Sequence, residues 1–269
     1  MKKLILVTLA SASLLALTAC ASSSKEATSD NSKSNTLETQ KKVDTAPFQV
    51  GKDMMKNERV YYEADYDEDN PLGVNTEIKK VYIFKKGKLS AYDVPYDYVR
   101  NNITLGSLKG LNQREILNKI VSNNKKVLDA AKEDVQKYNP DVAAKAEYIE
   151  PNSQKIKIEA LTDPSGNTLA KERISADNVN ISGGYVDAVH EENGFSNGLS
   201  SGSKNSFISF TLSNYDKGAF TVFNQNYAFF NISDNTAFIT ENNSSALPEL
   251  DSLDENFVKV QTESFDDFD

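Results

Sequence analysis

The stretch NQREILNKIVSNNKKVLDAAKEDVQKY, residues 112–138, is the strongest periodic segment of the chain and predicts one long amphipathic helix. Asn112 has the character of an N-cap, and Glu115 three residues later completes a capping-box pattern. The helix should end before the pair Asn139-Pro140. Its expected buried stripe consists of side chains at alternating spacings of four and three: Leu117, Val121, Asn124, Leu128, Ala131, Val135 and Tyr138.

The sequence leaves two uses of this stripe open. An amphipathic helix usually packs on a sheet of its own domain, and the alternative is a coiled-coil or partner-binding face. Three heptads with Asn124 inside the stripe are short for a coiled coil, so packing within the domain is the expectation. The neighbouring Asn123 and Asn124 also leave open a kink or a break in the helix.

Strand patterns flank this helix on both sides and are separated by turn residues. Lys86-Gly87 and residues 163–167 each predict the turn of a β-hairpin. The predicted strands are 59–66, 77–84, 88–94, 154–161, 168–175, 206–213, 219–224, 227–233 and 236–241. These patterns predict an α+β fold: an N-terminal β-hairpin sheet with the long helix over residues 48–150, then a mainly antiparallel β-rich unit over residues 151–241.

Aromatic residues are concentrated in the last four of these strands. Their expected role is the core of the sheet, and a platform for sugar rings is the alternative, although the chain has no Trp to stack on a sugar. The residues concerned are Phe207, Phe210, Phe220, Phe223, Tyr227, Phe229, Phe230 and Phe238.

Charge is distributed unevenly along the chain. Residues 48–138 carry 16 Lys and Arg against 14 Asp and Glu, whereas residues 139–269 carry 8 against 21. Residues 242–269 are acidic and poor in apolar groups, which predicts a solvated, partly disordered tail. A docking segment for a basic partner and a loose Ca²⁺-binding segment are the alternatives.

Composition excludes several classes of protein. The 269 residues have a formal charge of −9 and an isoelectric point near 4.9, which argues against a nucleic-acid partner because phosphate contacts need a basic face. With one Cys and one His the chain cannot form an internal disulfide or a zinc site built from His and Cys. We expect no cofactor.

A serine-hydrolase motif matches in letters but not in context. Gly198-Leu199-Ser200-Ser201-Gly202 fits G-x-S-x-G, yet no apolar strand precedes it and the single His190 lies before it rather than after it. A non-enzymatic protein is therefore expected. A hydrolase that uses paired carboxylates on cell-wall material remains the alternative, because such a pair needs no local motif.

Asp65, Asp67 and Asp69 form a weak candidate Ca²⁺ site. Their spacing resembles the start of an EF-hand loop, but Asn70 and Thr76 occupy the positions where that loop needs Gly and Glu. An acidic surface turn is the expected structure.

The N-terminus carries the signals of secretion and lipidation. Lys2 and Lys3 precede an apolar stretch, residues 4–17, whose length suits a signal peptide better than a membrane-spanning helix. The sequence Leu17-Thr18-Ala19-Cys20 then resembles the lipobox of bacterial lipoproteins of the Gram-positive type. That resemblance covers this segment alone and implies cleavage before Cys20, a diacylglycerol on its thiol and a formal charge of −11.

Residues 20–47 complete the expected attachment to the membrane. They are rich in Ser and Lys, nearly lack large apolar side chains and predict a flexible tether with a reach of about 26–31 Å. The expectation is a lipid-anchored protein on the outer face of the cytoplasmic membrane that binds a protein, peptide or glycan. Immunity or exclusion against an incoming peptide or phage component is one concrete form of that role.

Overall fold

A large, mostly antiparallel sheet organises the chain, and the α+β class predicted from the sequence is confirmed. The computed structural model describes residues 47–95, 103–185, 202–244, 246–253 and 258–261. The helices are α1 (Val50–Lys56), α2 (Leu105–Leu108), α3 (Gln113–Gln136) and α4 (Pro140–Lys145). The strands are β1 (Glu58–Asp65), β2 (Lys80–Lys85), β3 (Lys88–Asp93), β4 (Glu147–Ile149), β5 (Gln154–Lys155), β6 (Lys157–Thr162), β7 (Leu169–Tyr185), β8 (Ser203–Ser213), β9 (Lys217–Val222), β10 (Gln225–Ser233), β11 (Thr236–Glu241) and β12 (Val258–Gln261).

One sheet joins strands from both parts of the chain. Its order is β12-β6-β7-β3-β2-β1-β11-β10-β9, with β4 and β8 also paired to β7 and β5 paired to β3. The pairs β6–β12 and β3–β7 are parallel. Because β1 pairs with β11, the predicted boundary at residue 150 falls inside this sheet and does not separate two sheets.

The central strands bury side chains on both faces. Tyr61 and Tyr62 are neighbours in β1, so their side chains point to opposite faces, and both are buried. Tyr61 belongs to a first core cluster with Tyr82, Phe84 and Phe238. Tyr62 belongs to a second, which includes apolar side chains of β2, β11, α2 and α3: Val81, Ile83, Ile239, Leu105, Leu108, Ile116 and Ile120.

The first core cluster is closed by the half of the sheet that contains β7 and β8. The ring of Phe210 in β8 stacks on Phe238 in β11 with 4.4 Å between centroids and meets Tyr82 edge-on at 4.9 Å. β8 and β11 are not neighbours in the sheet. Their ring contact therefore shows that β8 lies across the face of the central strands.

Helix α3 begins as its sequence predicts. The Asn112 side chain accepts a hydrogen bond from the Glu115 backbone N–H, and the Glu115 side chain accepts one from the Asn112 N–H, which completes the capping box. The helix runs without a break for 24 residues, past Asn123 and Asn124.

The predicted buried stripe of α3 is wrong in its first half and at its end. The buried residues are Ile116, Ile120, Asn124, Leu128 and Val135. Leu117 and Val121 are only half-buried, and Tyr138 lies beyond the helix with 76% of its surface exposed. A single helix on a sheet has no need of the heptad spacing that joins two supercoiled helices, so a neighbouring row of side chains meets the sheet.

Both predicted hairpin turns are confirmed. Lys86 and Gly87 have positive φ angles of 48° and 73°, as a two-residue turn between β2 and β3 requires. In the turn between β6 and β7 the Asp163 carboxylate accepts hydrogen bonds from the Asn167 and Thr168 backbone N–H groups.

The predicted acidic tail is wrong for most of its described part. Leu250 and Asp251 are buried, and Leu250 belongs to the first core cluster. Strand β12 adds in parallel to β6. Although residues 242–269 are acidic and poor in apolar groups, a single apolar side chain such as Leu250 is enough to anchor this segment in the core.

Replacement of Phe238 by Ala tests the central core. Removal of this fully buried ring should lower the free energy of unfolding by about 3–5 kcal/mol. Phe207→Ala is the matched control, because Phe207 is 65% exposed and its loss should change that free energy by about 0.5 kcal/mol or less. Urea unfolding followed by circular dichroism measures both, and similar losses in the two variants would contradict the assigned core.

Candidate functional site

A pair of buried carboxyl groups lies where the segment between β11 and β12 meets α1. Glu172 of β7 is 0% exposed and Asp251 is 3% exposed. The Asp251 carboxylate accepts a hydrogen bond from the Lys52 backbone N–H, with distances of 2.9 Å to Oδ2 and 3.2 Å to Oδ1. A carboxyl group from the middle of the sheet and one from the C-terminal part of the chain are thus brought to the same place.

Gly51 makes room for this pair. A Cβ atom at Gly51 would lie 2.4 Å from Asp251 Oδ2 and 2.8 Å from Glu172 Oε1. Both carboxyl oxygens therefore lie within 3 Å of one point, and the two groups face each other. A side chain at residue 51 would have to displace one of them, which explains the glycine in α1.

The two acids cannot both be charged at low energetic cost. Both side-chain oxygens of Glu172 are buried, and the Asp251 side chain and backbone N–H lie beside them. A hydrogen bond between the two carboxyl groups requires that one of them keep its proton. Burial, together with the hydrogen bond and the negative charge of Asp251, raises the pKa of Glu172 far above its ordinary value, so the proton resides on Glu172.

The charged groups around the pair are already engaged. Arg59 of β1 forms an ion pair with Asp53 of α1, with 3.0 Å from Nη2 to Oδ1, and donates a hydrogen bond to the Glu241 carbonyl oxygen at 3.1 Å. Burial raises the pKa of Tyr61, whose hydroxyl is enclosed nearby. The pair thus has an uncharged hydroxyl beside it and a guanidinium committed to another carboxylate.

A groove of about 600 Å³ beside α3 is the larger of the two cavities described here, and neither is lined by Glu172 or Asp251. We call it the α3 groove. Its apolar lining comes from Leu117 and Val121 of α3, Tyr92 of β3, and Pro151. Its polar lining is Asn118, Ser122, Lys125, Lys126, Asp129 and Glu150.

The rim of the α3 groove carries charges of both signs. Lys125 Nζ lies 3.6 Å from Glu150 Oε1 and 4.7 Å from the centre of the Tyr148 ring, so its ammonium is held at the edge of the groove. Lys126 and Asp129 are exposed. An apolar lining with a few charged groups around it is typical of a ligand-binding cavity.

The second cavity, of about 470 Å³, lies beside the acidic turn after β1. It is lined by Tyr66, Asp67, Glu68, Pro71, Leu72, Phe229 and Asn235. Tyr66 meets Phe229 edge-on at 6.0 Å and donates a hydrogen bond from its hydroxyl to Asn231 Oδ1 at 2.6 Å. Tyr66 and Phe229 are therefore engaged in contacts within the protein.

The candidate Ca²⁺ ligands do not form a metal site. Asp65 forms an ion pair with Lys79 across the sheet, and Asp67 Oδ1 accepts a hydrogen bond from the Asn70 N–H at 2.7 Å. Across the described residues, no group of three His, Cys, Asp or Glu side chains could hold a metal ion. Asp65 is therefore the exposed last residue of β1, and Asp67 and Asp69 lie in the exposed acidic turn that follows it.

The aromatic run divides between core and surface. Phe210, Tyr227, Phe230 and Phe238 are buried, which confirms the expected core role for these four. Phe223 is 56% exposed at the β9–β10 turn, where its φ angle is 46° and Lys109 Nζ lies 4.8 Å from its ring centre.

Several residues singled out in the sequence fall outside the described part of the chain. They are the signal peptide of residues 1–19, Cys20, the tether as far as residue 46, His190 and Ser200.

No protein-family model, curated protein or solved structure matches this chain. Across the described ranges, no helix combines the length and the apolar character needed to cross a membrane. Function is therefore inferred from the residues of this chain alone.

The sequence marks one of the two buried acids, Glu172, through the alternation of residues along β7. Ala170, Glu172, Ile174 and Ala176 alternate along β7 and are all buried, so an acid on an otherwise apolar strand face marked Glu172 as unusual. Asp251 had no such local signal, because it lies among other acidic and polar residues.

Replacement of Gly51 by Ala tests the close approach of the two acids. The added methyl group should force the carboxyl groups apart and lower the free energy of unfolding by about 1–3 kcal/mol, which exceeds the helix-propensity gain of up to about 1 kcal/mol.

Gly73→Ala is the matched control, because the nearest atom to its added Cβ would be the Pro71 carbonyl oxygen at 3.9 Å. This variant should be as stable as the wild type or slightly more stable. Equal stability of the two variants in urea unfolding would contradict the crowding at Gly51.

Proposed function

We propose that this chain is a lipid-anchored protein of the cell envelope that binds a protein, peptide or glycan partner through the α3 groove. The single observation that carries the binding role is the placement of Leu117 and Val121. These apolar side chains lie on the helix that packs on the sheet, yet they line an open groove and are only half-buried.

Helix α3 has two neighbouring rows of apolar side chains, one that packs inward and one that lines the α3 groove. The row Ile116, Ile120, Asn124, Leu128 and Val135 packs inward. The adjacent row begins with Leu117 and Val121, which are only half-buried, although Leu117 also packs against the second core cluster. An apolar lining with charges of both signs at its rim suits an uncharged or mixed-charge ligand better than a polyanion such as a nucleic acid.

The membrane location rests on the N-terminal sequence. Lys2 and Lys3, the apolar segment and Leu17-Thr18-Ala19-Cys20 support export and lipidation at Cys20. A lipid on Cys20 followed by a flexible tether would hold the α3 groove near the outer face of the cytoplasmic membrane and raise its effective concentration there. Immunity or exclusion against an incoming peptide or phage component is one form that this binding would take.

The carboxylate pair does not favour the hydrolase alternative. Glu172 and Asp251 are enclosed, and neither described cavity reaches them. In the α3 groove, Asp129 and Glu150 are both exposed and Glu150 is paired with Lys125, so they lack the contrasting environments of a general acid and its partner. The geometry therefore supports a binding protein.

Replacement of Cys20 by Ser tests the anchor. Cells that express the wild-type chain should incorporate a labelled fatty acid into the protein, and the protein should sediment with membranes. Cys20→Ser should lose the label, because the chain contains no second thiol. Absence of label from the wild type, or its persistence in Cys20→Ser, would overturn the lipid anchor.

Photo-cross-linking in intact cells tests the α3 groove. A photoreactive amino acid in place of Leu117 should give a discrete cross-linked product, and the same amino acid in place of Gln136, an exposed position of α3 outside the groove, should not.

The additional substitution Val121→Lys should reduce the product from position 117 by roughly tenfold or more, since it places a charge in the apolar lining. Gln136→Lys adds the same charge elsewhere on the helix and should leave the product unchanged. Equal cross-linking from positions 117 and 136, or insensitivity to Val121→Lys, argues against the groove as the binding site.

A further inference from the structure

The second cavity, of about 470 Å³, lies where the turn after β1 meets β10 and the β10–β11 turn, and we call it the acidic cavity. It is lined by Tyr66, Asp67, Glu68, Pro71, Leu72, Phe229 and Asn235. The Tyr66 N–H donates a hydrogen bond to the Asn235 carbonyl oxygen at 3.0 Å, which fixes one turn against the other. Two turns that are far apart in the chain therefore enclose one cavity.

The aromatic wall of the acidic cavity is held in place by contacts within the protein. The Tyr66 hydroxyl donates a hydrogen bond to Asn231 Oδ1 at 2.6 Å, and its ring meets Phe229 edge-on. Phe229 pairs across the sheet with Gly218 of β9, and a Cβ atom at Gly218 would lie 2.5 Å from the Phe229 ring. The glycine therefore lets this ring lie over β9. Both rings keep part of their surface exposed, so a ligand can contact them without prior rearrangement.

The open side of the acidic cavity carries negative charge. Asp67 and Glu68 are exposed, and the described lining contains no Lys or Arg. Asp67 Oδ1 accepts hydrogen bonds from the Asn70 backbone N–H at 2.7 Å and from the Asn70 side-chain amide at 3.1 Å, which orients this carboxylate. The nearby Lys79 is paired with Asp65, the last residue of β1. Two carboxylates therefore lie beside two aromatic rings.

An aromatic wall with carboxylates beside it favours a cation that also has an apolar part. A cation is attracted to the faces of Tyr and Phe rings, and it forms strong hydrogen bonds with a carboxylate. The guanidinium of arginine suits this combination best, because it is planar, stacks on aromatic rings and binds a carboxylate through two N–H groups. The methylene groups of an arginine would pack on Pro71 and Leu72.

The charge of the whole chain favours the same kind of partner. The formal charge is −9, and residues 139–269 alone carry 8 Lys and Arg against 21 Asp and Glu. Such an excess of negative charge attracts basic partners over a distance and repels acidic ones. The acidic cavity gives this general attraction one defined place of contact.

We propose that the acidic cavity binds an arginine side chain of a basic protein or peptide partner, with the guanidinium between the aromatic rings and the carboxylates of Asp67 and Glu68. This site is additional to the α3 groove, with which it shares no described lining residue. The binding roles of the α3 groove and of the acidic cavity can therefore be tested separately.

Titration of the full chain with blocked arginine, N-acetyl-arginine methylamide, tests the acidic cavity. Blocked citrulline is the matched control, because citrulline replaces the charged guanidinium by an uncharged urea group of nearly the same shape. In nuclear magnetic resonance spectra, blocked arginine should shift the signals of Tyr66, Phe229 and Asn235 with a dissociation constant in the millimolar range. Blocked citrulline should bind roughly tenfold more weakly, and the signals of Leu117 and Val121 should not move.

Removal of charge at the cavity gives a second test. The double variant Asp67→Asn, Glu68→Gln keeps the side-chain shapes, and an amide oxygen at position 67 can still accept the Asn70 hydrogen bonds. This variant should bind blocked arginine roughly fivefold more weakly than the wild type, or weaker still. The control Asp69→Asn, Asp234→Asn changes the net charge equally at exposed positions outside the described lining, and its affinity should stay within about twofold of the wild type.

Three results would overturn the arginine site. The first is equal binding of blocked arginine and blocked citrulline to the wild type, which would show apolar contact alone. The second is the absence of shifts at Tyr66 and Phe229 at millimolar concentrations of blocked arginine. The third is an equal loss of affinity in the two double variants, which would show attraction to the surface charge in general. The wild-type titrations decide the first two even if a variant fails to fold.

Discussion

Burial of both faces of the central strands β1, β2 and β11 is the constraint on which the rest of this structure depends. Tyr61 and Tyr62 point to opposite sides of β1, and each needs its own apolar layer. Helices α2 and α3 supply one layer, and β8, α1 and the segment around Leu250 supply the other. Formation of the two core clusters therefore requires elements that are far apart in the chain.

This constraint explains the two unusual surfaces of the molecule. The inward row of α3 packs into the second core cluster through Ile116 and Ile120 and against Ala143 of α4 through Leu128 and Val135, and the adjacent row lines a groove. On the other side, Leu250 must reach the first core cluster, and this brings Asp251 against Glu172. An energetically costly pair of acids is thus tolerated at the place where the segment between β11 and β12 completes the core.

Features encoded within a few residues were predictable. The capping box of Asn112 and Glu115, the positive φ angles at Lys86 and Gly87, and the side-chain bonds of Asp163 all depend on near neighbours in the chain. The row of α3 that packs inward was not predictable in the same way. Ile116 and Leu117 are both apolar, and the shape of the sheet selects between them.

The sequence by itself determined the α+β class, the long capped helix and the hairpin turns, because these follow from backbone hydrogen bonds and side-chain periodicity over short distances. Only the tertiary structure decided that one sheet joins both parts of the chain and that an acidic segment closes the core. It alone brought together Glu172 and Asp251, which are 79 positions apart. The physical reason is that such contacts depend on which apolar surfaces meet, and composition along the chain does not carry that information.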